Sequence, residues 1–144
     1  MPLSLRTAYR QRLDEGALKP DAGQEAAVEA LSRLEAELNA AGEPSFLSFL
    51  KKPKAPGGVY LWGPVGRGKS MLMDLFFADA PVAKKRRVHF HEFMLEVQAR
   101  LHRRREELTA KGAPPEADTI VPIARETAGQ TRLLCFDEFQ VTDI

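Results

Sequence analysis

The sequence predicts an α/β fold in which helices flank a parallel sheet, and three observations carry that prediction. The run Gly58-Val59-Tyr60-Leu61-Trp62 has strand character and leads straight into a glycine-rich loop, behind which Met71, Leu72, Leu75 and Phe76 recur at helical spacing. A second apolar run, Leu133-Leu134-Cys135-Phe136, closes on Asp137 and Glu138. Unbroken apolarity in a strand points to burial on both faces, as in a parallel sheet, so the two carboxylates emerge at the rim where ligands bind. Between these runs lie a shorter strand pattern and helices.

The loop itself, Gly63-Pro64-Val65-Gly66-Arg67-Gly68-Lys69-Ser70, is a complete G-x-x-x-x-G-K-S phosphate loop, the mark of a P-loop NTPase. Glycines at 63, 66 and 68 let the backbone curl with its N–H groups inward, and the positive end of the following helix reinforces that anion nest. The nucleotide-binding set therefore runs from Gly63 to Met71. Lys69 reaches the β and γ phosphates, and Ser70 places its hydroxyl on Mg²⁺. Asp137 then holds the magnesium, directly or through water, and Glu138 points toward the γ-phosphate to polarise an attacking water. Each motif alone has a plainer reading, a glycine-rich turn or a solvated acidic turn. Their pairing on one chain favours ATP with Mg²⁺.

Composition sets the outer limits. The chain has 144 residues, 44% of them hydrophobic, enough for one domain with a core. A formal net charge of +1 gives no overall pull toward nucleic acid or acidic membranes. The single cysteine, Cys135, lies in the second apolar run and reads as core filler in a reducing compartment. No apolar run has the length of a membrane span and the start lacks a secretory core, so the expectation is a soluble, intracellular protein. Arg6, Arg10 and Arg12 are loosely presequence-like. Leu3, Leu5, Ala8, Tyr9 and Leu13 favour an ordinary amphipathic helix instead.

The elements follow in order. A helix is expected over about 21–40, with Ala27, Leu31, Leu34 and Leu38 on one face and Gly42 and Pro44 ending it. Asp21 and Gln24 read as a capping box, while Gln24, upstream of a phosphate loop, is also a candidate adenine contact. Phe46, Leu47, Phe49 and Leu50 form an apolar patch that could cover the base, and Lys51-Lys52-Pro53-Lys54 is a basic surface connection. Residues 1–56 thus read as a helical region with a basic linker, and 57–144 as the first part of the P-loop domain.

After Pro81, Arg87-Val88-His89-Phe90-His91 reads as a strand with both histidines on one face. With no further ligand cluster, hydrogen bonding near the sheet rim is favoured over a metal site. A helix over 92–108 follows, carrying Arg100, His102, Arg103, Arg104 and Arg105, for which a solvated face that suits the end of the helix dipole is favoured over binding of an anionic partner. Residues 111–118 form a loop. A short helix over about 122–128, closed by Gly129, leads into the last strand.

Three blocks, residues 58–76, 86–94 (Arg86-Arg87-Val88-His89-Phe90-His91-Glu92-Phe93-Met94) and 133–144 (Leu133 to Asp137, then Glu138-Phe139-Gln140-Val141-Thr142-Asp143-Ile144), resemble the ZapE-type cell-division ATPases, relatives of a mitochondrial AAA-type ATPase. The resemblance covers nearly the whole chain. It implies an AAA+-like ATPase, cytoplasmic in bacteria and peripheral at the inner membrane, that modulates the tubulin-like division ring and can form homo-oligomers. Lys69 and Ser70 match its Walker A pair, Asp137 and Glu138 its Walker B pair. It also implies that the strand bearing sensor 1, which lies between the Walker A and Walker B strands, comes next, with an arginine finger and a helical lid beyond.

The sequence stops six residues after Glu138. The expectation is therefore an AAA+-like sheet truncated after the Walker B strand. Each orphaned backbone group along a buried edge costs about 1–3 kcal/mol against total stabilities of about 5–15. Such a piece is expected to fold poorly alone, to bind nucleotide and to hydrolyse little of it. Two other functions stay open: a nucleotide-dependent binding or scaffold module, and a small-molecule P-loop kinase, against which Glu138 argues.

Overall fold

The structure is a computed structural model that describes residues 3–42, 55–63, 68–114 and 117–139. Its elements are α1 (Leu5–Asp14), α2 (Ala22–Ala41), α3 (Lys69–Asp79), β1 (Lys85–His89), α4 (Phe90–Ala110), α5 (Ile120–Gln130) and β2 (Leu133–Asp137). They fall into two compact units, residues 1–83 and 84–144. The apolar patch at 46–50, the basic stretch at 51–54 and the tail from Gln140 lie outside the described residues.

In the first unit α1, α2 and α3 pack against one another. Ser4 starts α1, its hydroxyl accepting from the Thr7 amide at 3.3 Å. Asp21 starts α2, its carboxylate accepting from the Gln24 amide at 3.0 Å, and Gly42 ends it at φ 60° and ψ −177°, a backbone that glycine adopts readily. The buried stripe of α2 is Val28, Leu31, Leu34 and Leu38, while Ala27 is only half-buried. Leu5 and Tyr9 of α1 and Leu72 and Phe76 of α3 complete this core. Burying each of these large side chains contributes about 1.5–3 kcal/mol, and α1 needs that anchorage because a ten-residue helix is marginal alone.

The expected strand before the phosphate loop is not formed. Residues 58–62 carry no regular structure, and Tyr60 and Trp62 are 65% and 82% exposed. Strand propensity becomes a strand only when a neighbour completes the hydrogen-bond ladder, and no described strand pairs with this segment.

In the second unit β1 and β2 form a parallel pair, in register from Lys85 opposite Leu133 to His89 opposite Asp137. The two helices of the crossover, α4 and α5, pack on each other, and α4 also packs on β1. Arg100 of α4 ties them together, donating to the Thr127 hydroxyl at 3.1 Å and pairing with Glu126 at 2.7 Å.

Two boundary expectations and one burial expectation are corrected here. His91 does not continue β1: the strand ends at His89, whose extended backbone serves as the N-cap of α4, so His91 sits in the first helical turn and the two histidines share no strand face. Gly129 lies inside α5, which runs on to Thr131 as C-cap, because a lone glycine costs a helix only about 1 kcal/mol. Burial along β2 alternates, with Leu133 and Cys135 buried and Leu134, Phe136 and Asp137 half-buried, so one face is not sealed.

Candidate functional site

The described residues of the phosphate loop are Gly63, at the end of the irregular segment 55–63, and Gly68 to Ser70 at the start of α3. Gly68 is the N-cap of that helix with φ 76°, a left-handed conformation that glycine adopts without penalty. A methyl group there would also lie 2.8 Å from the Gln24 amide nitrogen. The backbone conformation is what favours glycine here, since the flexible end of the Gln24 side chain can move aside for a Cβ. Helix α3 starts at Lys69 and has no side-chain cap, so Ser70 and Met71 lie in a first turn whose amides have no acceptor within the helix. The Lys69 ammonium folds back and donates to the Gly63 carbonyl oxygen, tying the two ends of the loop together. Pro64, Val65, Gly66 and Arg67 lie outside the described residues.

Beside this turn is an open cavity of about 480 Å³, within the range of small-molecule sites. Its lining includes Ala27 and Ala30 of α2, Tyr60 and Trp62, and the polar side chains of Gln24 and Lys69. Gln24 reaches it because Asp21 fixes the first turn of α2. The Tyr9 hydroxyl donates to the Gln24 side-chain oxygen at 3.4 Å. Burial pushes the Tyr9 phenol up from its ordinary value, and the nearby carboxylates of Glu25 and Asp21 add to that.

In the second unit Asp137 ends β2 and Glu138 follows it with φ 52°, a left-handed conformation unusual for a side chain of this kind. Asp137 is held by Arg87 of β1, whose Nε donates to Oδ2 at 2.8 Å and whose terminal nitrogen donates to Oδ1 at 3.1 Å. Phe136, beside it, packs edge-on against Phe90 at 5.6 Å and tilted against Phe93 at 4.9 Å. Burial pushes the Cys135 thiol up, in keeping with core filler.

Of the arginine cluster on α4, Arg100 is engaged by Glu126 and Arg104 lies 3.9 Å from Glu107, while His102 lies 3.3 Å from Glu106. Among the described residues no group of three His, Cys, Asp or Glu side chains is placed to hold a metal. Also among them, no helix is long and apolar enough to cross a membrane.

Two residues that sequence reasoning missed now stand next to its candidates, Tyr9 against Gln24 and Arg87 against Asp137. Tyr9 is visible in the sequence only as one apolar position of an amphipathic helix. Arg87 carries no local signal at all, since its partner lies fifty residues on.

Comparison with known proteins gives this geometry its setting. No solved structure matches the chain. Lactation elevated protein 1 homolog B of Danio rerio is 48% identical over 95 residues, 65% of this chain and 19% of that protein. An uncharacterized protein of Schizosaccharomyces pombe is 37% identical, covering 94% of this chain and 36% of its own length. Cell division protein ZapE of Escherichia coli K12 is 36% identical, covering 94% and 38%. The chain thus spans well under half the length of the curated relatives it matches. A family model described as AFG1-like ATPase matches residues 3–144. With almost every residue inside that match, the chain belongs to the AFG1-like ATPase family.

Proposed function

We propose that this chain is the nucleotide-binding part of an AAA+-type ATPase that works on ATP with Mg²⁺. The observation that carries the reading is the start of α3: a left-handed Gly68, an uncapped first turn at Ser70 and Met71, and the Lys69 ammonium folded back toward Gly63. That turn fits a triphosphate, which needs amide donors and a cation on a backbone free of side chains. Lys69 and the loop from Gly63 to Met71 neutralise phosphate charge, and Gln24 contacts the adenine in the adjoining cavity. Ser70 and Asp137 are oxygen donors of the kind magnesium prefers. Bound there, the ion supplies positive charge to the phosphate oxygens. Glu138 orients and polarises the attacking water.

In this reading residues 1–56 form the helical region and linker, and residues 57–144 the first part of the ATPase domain. The name of the ZapE relative, a cell division protein, supports a role in cell division for the whole protein, with the tubulin-like division ring as the target that the resemblance implies. A cytoplasmic location at the inner membrane and homo-oligomeric assembly belong to the same reading.

Calorimetric titration with a non-hydrolysable ATP analogue and Mg²⁺ tests it. Binding is expected for the chain and is expected to be lost in Lys69→Ala; an absence of heat with the unaltered chain overturns the reading. Phosphate release by the chain is expected to be slow. A turnover that Lys69→Ala abolishes refutes that expectation of weak hydrolysis, and phosphate transfer to an acceptor in place of release makes the protein a kinase.

A further inference from the structure

The Gln24 side chain lies between α1 and the start of α3, all within the first unit. Its carbonyl oxygen accepts from the Tyr9 hydroxyl at 3.4 Å, while its nitrogen lies 2.8 Å from where a Cβ on Gly68 would stand, nearer than its Cδ at 3.6 Å. The carboxamide thus has a defined sense, oxygen toward α1 and nitrogen toward α3. The positive end of α3 alone favours the reverse, with the oxygen facing amides that have no side-chain cap. Tyr9 outweighs it. That residue is only 4% exposed, so its hydroxyl proton needs an acceptor, and a turned amide would set an N–H donor against it. The end of the Gln24 side chain can shift without reversing; what Tyr9 fixes is its sense.

An amide of fixed sense reads a purine edge. Adenine offers a donor at its 6-amino group beside an acceptor at N1 or N7, which meet the amide oxygen and nitrogen together. The oxygen keeps a second lone pair for this after accepting from Tyr9. A 6-oxo purine puts an acceptor where the amino group was, opposite the amide oxygen, and two acceptors repel. We propose that Tyr9 is a positioning residue which, by fixing the sense of the Gln24 carboxamide, makes the cavity that Gln24 lines select 6-amino over 6-oxo purine nucleotides. The inference rests on the reading of Gln24 as the adenine contact.

Calorimetric titration with the β,γ-methylene triphosphates of adenosine, inosine and purine riboside, each with Mg²⁺, tests both levels. Inosine carries the 6-oxo group, and purine riboside carries only hydrogen there. The unaltered chain is expected to bind the adenosine form tightest, the purine riboside form next and the inosine form weakest, about tenfold or more below the first. Tyr9→Phe keeps the buried ring and frees the amide to turn. In that chain the inosine form is expected to rise to or above the purine riboside form, and the adenosine-to-inosine ratio to fall about three- to tenfold. Gln24→Ala is expected to bind all three with nearly equal affinity.

If Tyr9→Phe weakens all three alike or leaves their ratios unchanged while Gln24→Ala levels them, Tyr9 is merely structural and the inference alone is overturned. Ratios unchanged in Gln24→Ala take away the adenine reading of Gln24, and the inference with it. No heat with any of the three overturns the nucleotide reading itself. Should circular dichroism show Tyr9→Phe unfolded, the unaltered chain decides: the inosine form bound more weakly than the purine riboside form supports a fixed amide, and equal or tighter binding refutes it.

Discussion

Glu138 occupies a backbone conformation, φ 52°, that costs a side chain with a Cβ about 1–2 kcal/mol and glycine almost nothing. A residue held there against its preference is a common sign of a functional constraint. Glu138→Gly is therefore expected to stabilise the chain by about 1 kcal/mol in urea denaturation while losing any ATP turnover. Glu138→Gln keeps the strained backbone and is expected to lose turnover with no gain in stability.

Glu35 behaves differently, through protonation. Burial raises its carboxyl above the ordinary value, the Leu5 amide opposes this by donating to the carboxylate at 3.3 Å, and Asp79 adds to the rise. The folded chain thus holds this proton more tightly than the unfolded chain does. Its contribution to stability is fully present below the ordinary glutamate range and is lost as pH rises through the raised value. Glu35→Gln, which keeps an acceptor for Leu5, is expected to remove that slope. Unfolding free energies measured on both chains from acid to neutral pH check it.

Among the elements, the contact between α2 and the start of α3 is the most exposed to test. Gly68→Ala is expected to cost about 1–2 kcal/mol through its left-handed backbone, and to displace the Gln24 amide that a Cβ would meet. Because the Gln24 end can move aside, Gly68→Ala is expected to cost nearly the same with Gln24 or Ala at position 24, which a double-mutant cycle in urea checks. Much of this level was legible in advance. Leu31, Leu34 and Leu38 at helical spacing with Gly42 beyond gave α2, and the glycine-rich loop located the start of α3.

What stayed hidden at this scale was whatever depends on a distant partner. Val59 to Trp62 have strand propensity, yet a ladder is a property of two segments and cannot be read from one. His89 and His91 alternate as a strand does, while Phe90, Phe93 and Met94 recur as a helix does. The helical repeat prevailed because the whole of α4 shares it. The Arg87 bridge to Asp137 spans fifty positions and leaves no trace in local spacing. Cys135, by contrast, was read correctly as buried filler, and its raised pKa predicts slow alkylation by a thiol reagent that speeds up when urea unfolds the second unit.

For the molecule as a whole, nucleotide binding and stability are linked. If only the folded chain binds ATP with Mg²⁺, ligand at a hundred times its Kd adds about 2.7 kcal/mol to the unfolding free energy. That gain is expected in the unaltered chain and is expected to vanish in Lys69→Ala, which removes the cation that returns to Gly63. A gain of equal size in both chains would mean that the ligand is held elsewhere.

The wall of the cavity offers a direct way to watch that event. Trp62 is the only tryptophan in the sequence, stands next to Gly63 and is 82% open to water. Its fluorescence is therefore expected to begin at long wavelength and to move toward the blue, or to be quenched by a stacked base, as the neighbouring space fills. The protein carries its own optical reporter, and no dye has to be attached to follow occupancy in real time.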